Sequence, residues 1–490
     1  MKKKRILLIG ISDKQDDSDL IKATLKSNHL YMDDYQFVSS QETRLTYELI
    51  QSTTYFNKLK DAEAIFVYSF RENQERIMEL IHSGVDYVAM INRYFTNIHQ
   101  YKEVINEIHK ASCHVKCIVG GSFFLSAFNK LSNERERQYF LNYIGADFYI
   151  LRYQCEPVIA NLLHNGPNNY SLLEDVVFRD GSKYQLTKQT NKEQSLHTLT
   201  IDWESYTDSI LPVTSLKTTV SCPFNCSFCT VKQRNETYQH RSIDHIEHDL
   251  NALKVLNRTS IVYFNDETIN LPLTRFHHLL ERIISNQYPF TWFSFFRTEY
   301  VDDKTAALMK DSRCLAVLLG LECGNNSVLK RMNKNTNIGQ MEKAHGILKK
   351  HGINTICFFI VGFPGETKET IRQTIDFINR LSPTFYRLHI WECDTGTPVW
   401  QTRQEYGLTL KNGMWNHDTM SYQEALEAID YMKSEIKNSC SIDKADFSFA
   451  LQLMNQGIPV ETIYHIYSQL YIFQVTAYDS VTLSAHRQKF

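Results

Sequence analysis

The sequence predicts an α/β protein with a doubly wound, Rossmann-type N-terminal domain, a partial (β/α)6 barrel and a helical C-terminal region. Three observations predict it. Short apolar strands alternate with amphipathic helical stretches over residues 1–165, and the same alternation returns over 216–410. Residues 166–215, with Asp180-Gly181 and a run rich in Lys, Gln, Thr and Asn, interrupt it and read as a linker carrying a hairpin. The chain has 490 residues, and single cores stop growing at about 250–300, so more than one domain is required.

In the first domain the expected strands are Arg5–Ile11, Ala64–Tyr68, Tyr87–Ile91, Lys116–Val119 and Asp147–Leu151. Asn73–His82 and Tyr101–Ala111 carry apolar residues three and four apart, the helical period. Gly120 and Gly121 directly follow a strand, where doubly wound sheets place their ligand crevice. Asp180-Gly181 marks the hairpin turn of the linker. In the second domain the expected strands are Thr218–Ser221, Ser260–Phe264, Thr291–Phe295, Ala316–Leu319, Thr355–Ile360 and Tyr386–Trp391. Helices fit between them at Asp244–Leu256, Leu273–Ser285, Asp303–Asp311, Gln340–His351 and Lys368–Leu381. Residues 411–490 read as mainly helical, with Ser421–Asn438 and Pro459–Tyr471 the clearest stretches.

Bulk properties narrow the function. The formal net charge is −2, without the basic footprint of a nucleic-acid binder. The expected partner is a peptide or small molecule. No run approaches the ~18 apolar residues of a membrane span. After Lys2–Arg5 the apolar run ends at Ile11 and meets Asp13, too short for a signal sequence. The expectation is a soluble, cytoplasmic chain. Its 11 cysteines are an odd number, scattered through a long sequence, which is not a disulfide framework.

Chemistry concentrates in Ser221-Cys-Pro-Phe-Asn-Cys-Ser-Phe-Cys-Thr230, where Cys222, Cys226 and Cys229 are spaced Cys-x3-Cys-x2-Cys. Three thiolates can hold three irons of a [4Fe–4S] cluster, leaving the fourth open. A structural zinc site wants four ligands, and no second Cys-x2-Cys occurs. Here the chain resembles the radical S-adenosylmethionine (SAM) superfamily over residues 216–410. Phe228 matches the aromatic that lies against the adenine. Asp266 and Glu267 match the end of the second strand, and Ser294 and Arg297 the end of the third. Glu322, in Gly320-Leu-Glu-Cys-Gly324, matches the carboxylate that meets the ribose or amino group. Gly362 and Gly365, in Ile360-Val-Gly-Phe-Pro-Gly-Glu366, match the segment near the adenine. The resemblance implies a [4Fe–4S] cluster, SAM, and a reductant such as flavodoxin or ferredoxin. It implies reductive SAM cleavage to a 5′-deoxyadenosyl radical that abstracts hydrogen.

The N-terminal domain resembles that of cobalamin-binding radical SAM enzymes, through Val119-Gly-Gly-Ser122 and Gly145-Ala-Asp-Phe-Tyr149, so cobalamin is a third candidate cofactor. The Asp-x-His-x-x-Gly cobalt-ligand motif is absent. Leu388–Trp400, Arg403–Gly407 and Gly413–Met420 look similar to the phosphinothricin-type P-methyltransferase subgroup and to proteusin-type peptide epimerases. The leading expectation is L-to-D epimerisation in a ribosomal peptide precursor, with Cys393 returning the hydrogen atom. A cobalamin-dependent C- or P-methyltransferase is the alternative, and a non-enzymatic iron–sulfur scaffold a third reading. Trp415 and His417 are candidates for the substrate side or for plain packing.

Overall fold

The computed structural model describes residues 3–10, 17–28, 30, 32, 36–91, 97–165, 169–190, 200–231, 237–443 and 445–470. The chain divides into two compact units, one of Met1–Lys14 with Gln41–Ile210 and one of Gln15–Ser40 with Leu211–Phe490. The division is not sequential. An N-terminal helix, α1 (Asp17–Ser27), belongs to the second unit. Its Ile21 and Leu25 lie in that unit's core.

Unit 1 is built on β1 (Lys4–Ile9), β2 (Ala62–Val67), β3 (Tyr87–Met90), β4 (Lys116–Val119), β5 (Phe148–Ile150), β6 (Val176–Asp180) and β7 (Lys183–Leu186). The sheet order is β2-β1-β3-β4-β5-β6-β7. β1 to β5 are parallel, and the hairpin β6–β7 continues the sheet antiparallel. This 2-1-3-4-5 order is one of the two common doubly wound orders. Alternating side chains make both faces apolar. Leu7, Ile9, Val88 and Val119 pack under α3 (Gln74–His82), α4 (Ile98–Ala111), α5 (Gly121–Asn129) and α6 (Glu134–Ile144). Ile6, Leu8, Ile118 and Phe148 pack under α2 (Ser40–Asn57) and α7 (Glu156–Asn165). Each such buried side chain contributes about 1.5–3 kcal/mol. The run expected as linker therefore supplies two strands to this sheet; residues 166–168 and 191–199 of it lie outside the described residues.

After α1, unit 2 resumes with β8 (Val213–Leu216), followed by a short antiparallel pair, β9 (Thr219–Val220) and β10 (Gln239–His240). Helices α8 (Ile243–Leu256), α9 (Leu273–Asn286) and α10 (Asp303–Asp311) then alternate with β11 (Ile261–Phe264), β12 (Thr291–Phe296) and β13 (Cys314–Glu322). After α11 (Asn326–Arg331) and α12 (Ile338–Lys350) come β14 (Asn354–Val361), α13 (Lys368–Leu381), β15 (Phe385–Ile390) and α14 (Pro398–Gln401). Polar caps set the helix starts: Asn337 and Thr367 form capping boxes at α12 and α13.

With β19 (Cys440–Ser441) at one edge, the sheet order is β19-β15-β14-β13-β12-β11-β8, with every pairing parallel. The first strand is Val213–Leu216 and not Thr218–Ser221. All four residues of Val213–Leu216 are buried and pair with β11, whereas Thr219–Val220 turns away to pair with β10. One sheet face meets the intervening helices through Trp292 on Phe276, Thr355 on His345 and Phe359 on Phe377. The other carries Tyr263, Phe293, Leu318, Ile356 and Phe385 against α16 (Phe447–Asn455) and the helical residues 460–470.

The C-terminal region opens with a small meander of β16 (Thr409–Lys411), β17 (Met414–His417) and β18 (Met420–Ser421), which periodicity did not pick out. Then follow α15 (Tyr422–Glu435) and β19 (Cys440–Ser441) before α16. Tyr471, the expected end of the last helix, lies outside the described residues. No described helix is long and apolar enough to cross a membrane.

Candidate functional site

The cysteine loop leaves the C-terminal end of β8, the edge where parallel βα units gather reactive groups. Asp266, just past β11 and 2% exposed, holds the start of the loop. Its Oδ1 accepts from the backbone N–H of Thr218 and of Thr219, both at 2.8 Å, and its Oδ2 accepts from Thr218 Oγ1 at 2.6 Å. Ser221 then takes a left-handed φ of 64° and turns the chain into Cys222. The loop is docked further along. Ser227 N donates to Met332 O at 2.9 Å, Asn333 Nδ2 to Asn225 O at 2.7 Å, and Val399 N to Ser227 O at 3.0 Å.

Cys226 is buried and Cys222 and Cys229 are half-buried, all three free. Desolvation raises the Cys222 thiol and pushes Cys229 up to about 11, while the Arg297 cation pulls Cys222 back. Arg297 is clamped beside them. It lies 3.6 Å from the centroid of the Phe224 ring, pairs with Glu299, donates to Lys334 O, and points Nη1 at Cys226 Sγ, 3.9 Å away. Ligand-to-metal bonds of about 2.3 Å put the sulfurs of one zinc ion about 3.8 Å apart. Among the described residues the three thiols form no such tight set: their sulfurs are not all within 4.8 Å of one another. Three thiols not drawn in around one ion, a fixed cation, and the buried Ser221 hydroxyl, without a partner among the described residues, fit an iron–sulfur cluster with one open iron.

The other expected site residues divide. Phe228 meets Phe363 edge to face at 6.4 Å, and Lys334 Nζ stands 5.9 Å from its ring centroid. Glu322, at φ 68°, pairs with Lys334 at 2.7 Å, both nearly buried. Glu267 is half-buried within electrostatic reach of Cys222 and Cys229. Arg297 links the thiols to the Glu322–Lys334 pair, reaching Cys226 Sγ on one side and Lys334 O on the other. Ser294 does not join them: its Oγ donates to Phe264 O at 2.7 Å, and its register puts it on the helix-facing side with Trp292. Asp266 is occupied by the loop backbone and acts as its tether. Lys334 was not read from the sequence, because in Lys330-Arg331-Met332-Asn333-Lys334 it looks like one more solvated cation.

Gly362 and Gly365 have φ of 91° and 94°. A Cβ on Gly362 would lie 2.4 Å from Trp415, and on Gly365 it would strike Arg331. Trp415 and His417 therefore pack under this turn: the rings stack at 5.1 Å, and His417 Nε2 lies 3.1 Å from Gly362 O. Glu366, 1% exposed, closes the turn by accepting from Gly362 N at 2.6 Å and Phe363 N at 3.3 Å. Burial raises its carboxyl from 4.5 to about 7. The folded state then binds this proton more tightly than the unfolded one, so the contribution is complete below 4.5 and lost as pH rises through about 7. Unfolding free energy measured by urea titration is expected to fall by about 3 kcal/mol across that window from this group. Glu366→Gln should flatten that slope; an unchanged slope would assign it elsewhere.

In unit 1, Gly121 N donates to Cys155 Sγ at 3.2 Å, and a Cβ on Gly120 would lie 2.8 Å from the same sulfur. The two glycines stand at the strand end as expected, with Cys155 packed against them. Of this unit's described histidines, His109 meets Asp147, His164 meets Asp61 and His99 meets Tyr143. Gly120 and Gly121 stand at the carboxyl end of a parallel strand, the edge where doubly wound sheets bind ligands, and the Asp-x-His-x-x-Gly motif of a histidine-ligated cobalamin is absent from the sequence. Cys393 lies three residues past β15, half-buried, with burial pushing its thiol up to about 11. Its loop runs on to Val399, which anchors on the cysteine loop.

A sheet of parallel βα units with a three-thiol loop at its C-terminal edge defines a class, and the sequence comparison gives the same one. Residues 216–378 match the Radical SAM superfamily. The chain carries a radical SAM domain there. It is similar to the uncharacterized methyltransferase PH0819 of Pyrococcus horikoshii, 27% identical over 40% of this chain and 43% of that one. It is also similar to bacteriochlorophyllide d C-12(1)-methyltransferase of Chlorobaculum tepidum, 27% identical over 44% of this chain and 46% of that one. The chain thus spans less than half the length of these relatives. Among solved structures, the radical SAM methyltransferase TsrM from Kitasatospora setae, with cobalamin and a [4Fe–4S] cluster bound, shares the fold at a TM-score of 0.61. That match has 15% identity and covers 84% of this chain and 81% of that one.

Proposed function

We propose that this chain is a cobalamin-dependent radical SAM methyltransferase acting on a peptide or small natural-product substrate. The observation that carries the reading is the pairing of a 2-1-3-4-5 parallel sheet with a three-thiol radical SAM domain in one chain. The relatives named above are methyltransferases, which moves the reading from epimerisation to methyl transfer. One SAM, cleaved at the open iron, would supply the radical and leave as methionine; a second SAM would supply the methyl group through cobalamin and leave as S-adenosylhomocysteine. The residues assigned to bind and orient SAM are Glu322 and Lys334 for its charged groups and Phe228 for its adenine. Arg297 and the loop contacts of Ser227 hold the thiols.

The test is anaerobic reconstitution, incubation with hydroxocobalamin, desalting, and assay of cobalt and iron. Stoichiometric cobalt beside a full cluster is expected. Iron and sulfide without cobalt would overturn the cobalamin reading. Cys393→Ala separates the two chemistries: methyl transfer does not require this thiol, whereas hydrogen return does. A variant that still consumes SAM but forms no product would restore hydrogen-atom chemistry.

A further inference from the structure

The sheet face turned away from α9, α12 and α13 changes character toward its C-terminal edge. Below, Tyr263, Phe293, Ile356 and Phe385 are buried in the core. Above them the register aligns Gly320, Phe358 and Arg387 in one row, and Ile360 with His389 in the next. Phe358 lies parallel to the His389 ring at 5.8 Å and 9°, and meets Phe295 at 5.6 Å. Arg387 is half-buried, and its guanidinium makes no hydrogen bond or ion pair among the described residues. The His389 imidazole likewise makes no hydrogen bond among them. Asp443, the acid facing this strand from the segment after β19, accepts from Leu388 N and pairs with Lys433 at 2.8 Å. His389 is accessible to solvent, yet desolvation and the Arg387 charge lower its pKa, as for a ring lining a concavity. Glu322 lies within electrostatic reach of it.

An unpaired, partly desolvated guanidinium is costly unless an anion completes it. Its planar fork matches the two oxygens of a carboxylate or of a phosphorus oxyacid. A neutral imidazole one row above can add a hydrogen bond, and Phe358 and Phe295 offer an apolar wall beside the charge.

We propose that Arg387 and His389 form the substrate-anchoring site of the barrel, taking an oxyanion of the substrate with an apolar or aromatic group laid against Phe358. The site would fix the end of the substrate that does not react, and so set which atom faces the radical. The inference deepens the function proposed above and relies on it only for which edge of the sheet is reactive.

The probes are benzoate, phenylphosphinate and, as an uncharged comparator, benzyl alcohol. Each is titrated into the anaerobically reconstituted protein and its binding followed by ligand-observed NMR without turnover. The anions are expected to bind more tightly than benzyl alcohol, and the preferred anion distinguishes a carboxylate from a phosphorus substrate. Arg387→Gln should weaken the anions about tenfold or more and leave benzyl alcohol unchanged. Arg387→Lys, which keeps charge but loses the fork, should fall between. Iron content and thermal unfolding report folding; if Arg387→Gln does not fold, Arg387→Lys and His389→Ala carry the test. Equal binding of anion and alcohol, no binding of either anion by the wild type, or wild-type anion binding in a folded variant would overturn the proposal. Missing cobalt would unseat the methyltransferase reading and leave this one standing.

Discussion

Cys226→Ala is expected to come out of anaerobic reconstitution almost colourless, with iron falling from about four per chain to well under one. SAM cleavage to 5′-deoxyadenosine should drop below detection. Of the three thiols Cys226 is the buried one, and Arg297 points at it from 3.9 Å. Removing it leaves two half-buried ligands and a guanidinium whose sulfur partner is gone. Two thiolates cannot hold three irons. The side chain lost is small, so the fold should survive, and far-UV circular dichroism with thermal unfolding would show it. A folded variant that kept its brown colour and cleaved SAM would remove Cys226 from the ligand set.

The cysteine spacing was legible because it is local: three ligands within eight residues need no tertiary information. The alternation of strand and helix was legible for the same reason, since each element declares its own period. Long-range assignments were not. Thr218–Ser221 and Val213–Leu216 are both short and β-branched, and only pairing with β11 or β10 distinguishes the barrel strand from the side hairpin. Nothing in α1 says which core Ile21 and Leu25 will enter, and they enter that of the second unit. The linker looked polar, yet Val176, Val177 and Tyr184 bury themselves as sheet extension. Lys334 and Glu322 are 12 positions apart, and their pairing depends on the turn after α11. Asp266 and Ser294 sat at the expected strand ends but face other partners, because the direction of one side chain is set by register, which a motif does not record.

Asp266→Ala should release the cysteine loop from the sheet while leaving every proposed iron ligand in the sequence. The carboxylate accepts three hydrogen bonds at 2.6–2.8 Å from Thr218 and Thr219, all buried. Alanine leaves two backbone N–H groups and a hydroxyl without acceptors in a site too enclosed for easy hydration. Each orphaned donor costs about 1–3 kcal/mol, so a loss of about 3–5 kcal/mol is expected, short of full additivity. The cost can be met in two ways, and they differ in what is measured. If the sheet yields, the protein loses stability globally and thermal unfolding moves down with cluster content in proportion. If the loop yields, β9 detaches from β10, the thiols lose their mutual placement, and iron incorporation falls steeply while the rest of unit 2 unfolds near its usual temperature. The second outcome is expected, because the two-residue pairing of β9 and β10 is far weaker than the four-residue register of β8 on β11. Asp266→Asn keeps one acceptor oxygen and should recover part of the iron. A variant Asp266→Ala that bound a full cluster at wild-type stability would show that Ser227, Asn225 and Val399 alone hold the loop, and that Asp266 is not its tether.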